Sequence, residues 1–177
     1  MRWLLLGILA YIVLVMQTTL FVPGALAVRV HGHWARPDLM LVVGMFVALY
    51  FEPKHALAAG CLMGLGCDLA AVGGRLGLMA LLFAAALTAL ASVRSVLNRG
   101  WVLTQSACAL GLVLAVHGAW YMAVRHLGGA DPAPLRSLEE ALLDGVYTGI
   151  LAPYLVWALL RLRGPLEVTL EPGEIQM

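Results

Sequence analysis

Residues 35–81 decide the fold of this chain, and they read ARPDLMLVVGMFVALYFEPKHALAAGCLMGLGCDLAAVGGRLGLMAL. Two apolar segments flank a short turn at residues 52–55, and a third begins after a glycine-rich stretch. Two acids, Asp38 and Asp68, lie in or beside these segments. A carboxylate in hydrocarbon is costly, so each acid is expected to face other protein or water. The rest of the chain predicts apolar helices packed around this unit.

The composition is that of an integral membrane protein. Hydrophobic residues make up 62% of the chain and charged residues 12%, with a mean hydropathy of +0.92. Soluble domains usually carry roughly twice that share of charge. The length of 177 residues predicts one compact transmembrane domain over residues 1–163 and a short polar tail over 164–177. A net charge of +1 excludes a large basic field for nucleic acid.

The apolar segments predict an all-α membrane protein, a compact bundle of six transmembrane helices. They cover about residues 3–22, 38–51, 55–72, 76–93, 101–124 and 137–160. The second is short for a full crossing. Basic residues divide almost evenly between the two sides, and only Arg2, Arg161 and Arg163 favour termini in the cytoplasm. Arg161 and Arg163 also suit contact with anionic lipid.

The second segment opens with residues typical of a helix start. Pro37 suits the first helical position, and Asp38 lies where the helix dipole favours an anion. The alternative role for Asp38 is contact with Arg36, Arg75 or a partner protein. Gln17, near the end of the first segment, is predicted to bond to a neighbouring helix.

Small residues recur at intervals of four in the third segment and end on an acid: Ala56, Gly60, Gly64 and Asp68. This spacing places them on one side of a helix, where small residues let another helix approach closely. Asp68 is predicted to cap the glycine-rich turn that follows. Pairing with Arg75 and a transport or proton-relay role are the alternatives.

The fifth segment carries a polar stripe of His117, Tyr121 and Arg125, spaced by four. His117 is interpreted as a hydrogen-bonded packing residue, with a catalytic or proton-carrying role as the alternative. Asp144, in the sixth segment, lies on the same predicted membrane side as Arg125. An Arg125–Asp144 pair is therefore geometrically possible.

The sixth segment is expected to begin at Ser137, because Ser137 and Glu140 match the S-x-x-E capping box. Gly145 and Gly149 form a second pair of small residues at helical spacing, and Pro153 is expected to bend the helix.

The chain shows no motif for a metal, a cofactor or a disulfide framework. Its cysteines, Cys61, Cys67 and Cys108, all fall in apolar segments and are interpreted as packing residues. His31 and His33 are two residues apart, but zinc needs three or four ligands.

Short motifs in the first half of the chain resemble the MreD family, the rod shape-determining membrane proteins of bacteria. In order they are Gln17-Thr18-Thr19-Leu20, Arg36-Pro37-Asp38-Leu39, Gly60-x-x-x-Gly64-x-Gly66-x-Asp68 and Gly77-Leu78. Beyond Leu90 the resemblance depends on the number and size of the spans. It makes candidate family-motif residues of Gln17, Pro37, Asp38, Gly60, Gly64, Asp68 and Gly77.

The resemblance implies a non-enzymatic subunit of the elongasome, which inserts peptidoglycan along the side wall. It implies binding to MreC and, through MreC, association with RodA, a class B penicillin-binding protein and MreB filaments. It also implies a fold similar to the substrate-binding subunits of energy-coupling-factor transporters.

Two other functions stay open at the level of sequence. A solute-binding transporter subunit would share the implied fold, although no aromatic and polar cluster marks a vitamin pocket. An intramembrane enzyme could use His117 with Asp68 or Asp144. Against an enzyme, the chain has neither H-E-x-x-H nor Gly-x-Ser-x-Gly.

Overall fold

The computed structural model describes residues 2–20, 27–30, 33–70, 76–98, 100–127 and 134–161. Within these ranges the chain forms helices and one small hairpin. The helices are α1 (Arg2–Leu20), α2 (Leu39–Tyr50), α3 (Pro53–Ala70), α4 (Leu78–Val93), α5 (Val102–His126) and α6 (Pro134–Arg161). The hairpin strands are β1 (Val28–Val30) and β2 (His33–Ala35).

Some predicted features lie outside the described residues. They are the ends of the first and third segments at Val22 and Val72, His31, Arg75, Arg163 and the tail at 164–177.

Helix α2 forms the core of the molecule. All of its twelve residues are buried, and it contacts α1, α3, α4, α5 and α6. A helix that is apolar all round is buried in protein or in a membrane. At about 1.5 Å per residue, α2 is about 18 Å long, well below the roughly 30 Å of a hydrocarbon core. The segment predicted as a second span is therefore a short helix enclosed by the others.

Two helices are long and apolar enough to cross a membrane, over Val102–His126 in α5 and Ser137–Arg161 in α6. Three shorter stretches, Leu4–Thr19, Leu39–Tyr50 and Leu78–Val93, are apolar without reaching that length. Over the described residues, the structure thus gives two clear spans, where the sequence predicted six.

Large apolar side chains cover the outside of the molecule. Exposed examples occur on α1 (Tyr11), α3 (Leu69), α4 (Leu81), α5 (Leu103) and α6 (Ile150). Extended apolar surface of this kind marks a membrane or protein contact. Its presence on every helix around α2 fits a lipid environment.

Residues 28–35, predicted as part of a loop, instead include an antiparallel hairpin. Arg29 lies opposite Trp34, and its guanidinium carbon lies 5.8 Å from the centroid of the indole ring. The hairpin packs against α6 through β2. The β-branched Val28 and Val30 favour a strand, which the polar residues around them obscured in the sequence.

Two helices begin earlier than predicted, each at a proline. Helix α3 begins at Pro53 and α6 at Pro134. Proline is favourable at the first helical position because its missing N–H would have no intrahelical partner there. Ser137 therefore lies inside α6, and the prediction that it caps the helix was wrong.

Candidate functional site

The N-terminus of α2 meets α1, α5 and α6 at a cluster of polar side chains, which we call the polar junction. Its members are Gln17, Asp38, His117, Asp144 and Thr148.

Asp38 is the N-cap of α2. Its Oδ1 accepts a hydrogen bond of 3.1 Å from the backbone N–H of Leu41. This is the position where a side-chain oxygen satisfies an N–H group that lacks an intrahelical acceptor. Pro37, directly before it, is buried. Among the roles that the sequence left open, the geometry of Asp38 is that of a helix-start residue.

Gln17 connects α1 to the same helix start. Its Oε1 accepts a 3.1 Å hydrogen bond from the backbone N–H of Met40, and its Nε2 lies 3.4 Å from Oδ1 of Asp38. One amide side chain thus supplies an acceptor to an unpaired backbone group and a donor to the capping carboxylate. The helix–helix contact predicted for Gln17 is to α2.

Helix α6 holds the segment before α2 through two residues. The Thr148 hydroxyl is fully buried; it accepts a 2.9 Å hydrogen bond from the backbone N–H of Asp38 and donates one of 2.6 Å to the carbonyl of Asp144. The Asp144 carboxylate accepts a 2.7 Å hydrogen bond from the backbone N–H of Arg36. These bonds fasten α6 to both sides of Pro37.

The sequence did not identify Thr148. It lies one helical turn after Asp144. A hydroxyl four residues after an acid on the same helix face is the sequence feature that could have marked it as a site residue. Its partner Asp38, the N-cap of α2, is 110 positions away in the chain, so local pattern alone could not reveal the contact.

Of the polar stripe on α5, only His117 lies at the polar junction. His117 lies near the carboxyl groups of Asp38 and Asp144. The Tyr121 hydroxyl is buried and has no hydrogen-bond partner among the described residues. Arg125 is exposed near the end of α5, and within the described part of the chain no ion pair joins it to Asp144.

A second feature, which we call the glycine seam, joins α3 to α4 through Gly60 and Gly64. A Cβ atom on Gly60 would lie 2.6 Å from the Cα of Ala84, and one on Gly64 would overlap the backbone of Met79 and Ala80. Such overlaps cannot be relieved by rotating a side chain, because the opposing atoms are backbone. The two helices can approach this closely only with glycine at both positions.

Asp68 closes one end of the glycine seam. Its carboxylate accepts hydrogen bonds from the N–H groups of Gly77 (2.8 Å), Met79 (3.2 Å) and Ala80 (3.2 Å) at the start of α4. The side chain is almost wholly buried. Three N–H donors and the positive end of a helix dipole stabilise a carboxylate in such a place. Asp68 thus caps α4 from a neighbouring helix.

Gly77 makes this arrangement possible. It is the N-cap of α4 and has φ = 93°, a conformation that glycine adopts readily and other residues rarely do. Because glycine has no side chain, α4 takes its cap from Asp68 instead.

In both features, carboxylates bind main-chain groups. Asp38, Asp68 and Asp144 each accept a hydrogen bond from a backbone N–H, and these bonds fix helix starts and the segment before α2. In the described ranges no group of three His, Cys, Asp or Glu side chains is placed to hold a metal ion. Cys61, Cys67 and Cys108 are free thiols.

No curated protein and no solved structure is significantly similar to the chain. The similarity of fold to transporter subunits therefore stays a prediction. The family model for the rod shape-determining protein MreD matches residues 1–161 of the 177. This match extends well past Leu90, so it covers α5 and α6 together with the polar junction and the glycine seam. The chain belongs to the MreD family of rod shape-determining membrane proteins.

Proposed function

We propose that this chain is a non-enzymatic subunit of the bacterial elongasome that supports side-wall peptidoglycan synthesis by binding MreC. Membership of the MreD family supports a role in rod shape at a membrane. In the proposal, MreC links the chain indirectly to RodA, a class B penicillin-binding protein and MreB. The chain resides in the cytoplasmic (inner) membrane as a multi-pass protein with both termini in the cytoplasm.

The hydrogen bonds of the interior acids are the main support for the scaffold proposal. Asp38, Asp68 and Asp144 each accept a hydrogen bond from a backbone N–H at a helix start or in the segment before one. Carboxylates engaged in this way hold main-chain groups in place, as a rigid support requires. A proton carrier or general base would need its carboxylate free to meet a substrate or water.

The outer surface supports the second part of the proposal, a partner within the membrane. Internal polar groups are used to join helices, which leaves mainly apolar side chains on the outside. Association of helices in lipid depends on close packing of side chains at the contact. In the proposal, MreC as a single-pass partner packs against such a face.

Copurification tests the proposal. The chain carries an affinity tag, is extracted from native membranes in a mild detergent and is captured at expression close to the native level. Recovery of MreC, a bitopic coiled-coil protein, is the expected result, with an unrelated tagged polytopic protein as the control. Recovery of ATPase subunits in place of MreC would contradict the proposal and would indicate a transporter.

A matched pair of variants adds a structural test to this experiment. Thr88→Val alters a buried hydroxyl that has no hydrogen-bond partner among the described residues and is expected to keep the partner, whereas Gly64→Leu separates α3 from α4 and is expected to lose it. If a Gly64→Leu protein that no longer folds still captured MreC, the capture would not depend on the folded structure and would not support the proposal.

A further inference from the structure

A groove of about 480 Å³ lies between the start of α5 and the last turns of α6. Its walls are mostly apolar and include Val102, Pro153, Tyr154 and Trp157. The volume falls within the usual range for small-molecule sites. The groove is separate from both the polar junction and the glycine seam.

The groove lies at the opposite end of α2 from the polar junction. Gln105 lines it, and the Gln105 Nε2 atom lies 3.5 Å from the hydroxyl of Tyr50, the last residue of α2. Beside the groove, the guanidinium of Arg161 lies 4.2 Å from the centroid of the ring of Trp157, a lining residue. Tryptophan and arginine at a helix end are typical of the membrane–water interface. These two residues thus suit a position of this end of α6 at the interface.

The basic side chains at this end of α2 differ in whether they have a partner among the described residues. Arg94 donates to the backbone carbonyl of Phe51, and Lys54 forms a 2.5 Å ion pair with Glu52. Arg161 is exposed, and in the part of the chain that the structure describes it forms no ion pair. An exposed cation that forms no ion pair within the described residues thus lies beside an apolar groove. That combination complements an amphiphile with a negative headgroup.

We infer that the groove holds an acyl chain of an anionic phospholipid whose phosphate pairs with Arg161. The apolar walls suit the acyl chain, and the Trp157 ring holds the guanidinium at the level of the headgroups. An acyl chain of the bilayer gains close packing against these walls. The surrounding bilayer supplies the lipid, and the inference does not depend on the proposed binding of MreC.

Native mass spectrometry of the delipidated full-length protein tests the inference. The protein is titrated in detergent with phosphatidylglycerol and, separately, with phosphatidylcholine of the same acyl chains. One phosphatidylglycerol is expected to bind in preference to phosphatidylcholine. Arg161→Ala should weaken phosphatidylglycerol binding about fivefold, as expected for one basic side chain near a lipid surface.

Two further variants separate this site from general attraction of lipid. Arg125→Ala removes an exposed arginine near the other end of α5 and should leave binding unchanged. Val102→Trp fills the groove and should abolish the bound lipid while Arg161 stays in place. Gel filtration checks the fold of each variant, and the arginine pair decides the question alone if Val102→Trp does not fold.

Three outcomes would overturn the inference. Equal binding of the two lipids would show that the headgroup charge is not recognised. Equal losses in Arg161→Ala and Arg125→Ala would show binding of lipid by charge alone. A photo-crosslinker at position 154 that captures a protein helix and no lipid, in native membranes, would show that the groove belongs to a protein partner.

Discussion

The carboxylate of Asp68 accepts a 2.8 Å hydrogen bond from the backbone N–H of Gly77, the residue that precedes α4. The same carboxylate accepts hydrogen bonds from the backbone N–H groups of Met79 and Ala80. A residue on one helix therefore caps the next, and the glycine seam holds the two helices together along their length. Asp68 and Gly77 act as a pair. The positive φ of Gly77 favours glycine, and glycine has no side chain to cap α4, so the cap comes from Asp68.

Substitution of Asp68 should cause a graded loss of stability. Asp68→Asn keeps one acceptor oxygen and should lower the free energy of unfolding by about 1–2 kcal/mol, whereas Asp68→Ala leaves buried N–H groups unpaired and should cost about 3 kcal/mol. Thermal unfolding in detergent measures the difference. Rod morphology in a depletion strain, with immunoblots of each variant, should decline in the same order.

The opposite result would make Asp68 a functional site. If Asp68 carried protons, Asn and Ala would be equally inactive because neither can titrate. Normal protein level with complete loss of rod shape in the Asn variant would therefore contradict the capping role.

Gly64→Leu should prevent correct packing of α3 on α4. The added side chain would overlap the backbone of Met79 and Ala80, and overpacking of this kind costs about 3 kcal/mol or more. Leu62→Ala is the control, because the Leu62 side chain is 60% exposed. The yield of monodisperse protein on detergent gel filtration measures both. Equal yields would show that the glycine seam is not a required helix contact.

Thr148→Val should destabilise the polar junction. It removes the hydroxyl that accepts the Asp38 N–H and donates to the Asp144 carbonyl, at a cost of about 1–3 kcal/mol for the buried group left unpaired. Thr88→Val is the matched control, because the Thr88 hydroxyl is buried without a hydrogen-bond partner among the described residues. Unfolding temperatures should fall in the first variant and stay level or rise in the second.

Gln17→Glu should weaken the attachment of α1 to α2. The substitution replaces the amide that faces the Asp38 carboxylate with a second carboxylate, so an attraction becomes a repulsion. Thr18→Val is the control, since among the described residues the Thr18 hydroxyl bonds only to carbonyls of α1. In limited proteolysis in detergent, the N-terminal segment should be released faster from Gln17→Glu than from Thr18→Val. Equal cleavage of the two variants would argue against the contact.

The proposed topology places the turn before α3 in the cytoplasm and the loop before α6 outside. In a variant that lacks Cys61, Cys67 and Cys108, a membrane-impermeant thiol reagent should label Asp131→Cys in intact spheroplasts. Lys54→Cys should be labelled only after lysis. Labelling of position 131 only from the cytoplasmic side would contradict this arrangement.

Local pattern in the sequence determined the helical character of the chain and the residues that share a face. Spacing by four places Gly60, Gly64 and Asp68 together, and the structure has all three buried on α3. Helix periodicity and small-residue contacts are short-range properties, so they can be read from neighbouring positions. The same holds for Asp38, which lies directly before an apolar run and caps the helix that follows.

Only the tertiary structure decided which helix forms the core and which polar groups meet. A uniformly apolar helix has the same pattern in lipid and in protein, so the enclosure of α2 could not be read from its residues. Asp144 could have met Arg125 by sequence, yet its carboxylate accepts the N–H of Arg36, 108 positions away. Such contacts depend on how distant segments pack, because a buried polar group takes the partner that the folded chain brings within hydrogen-bond distance.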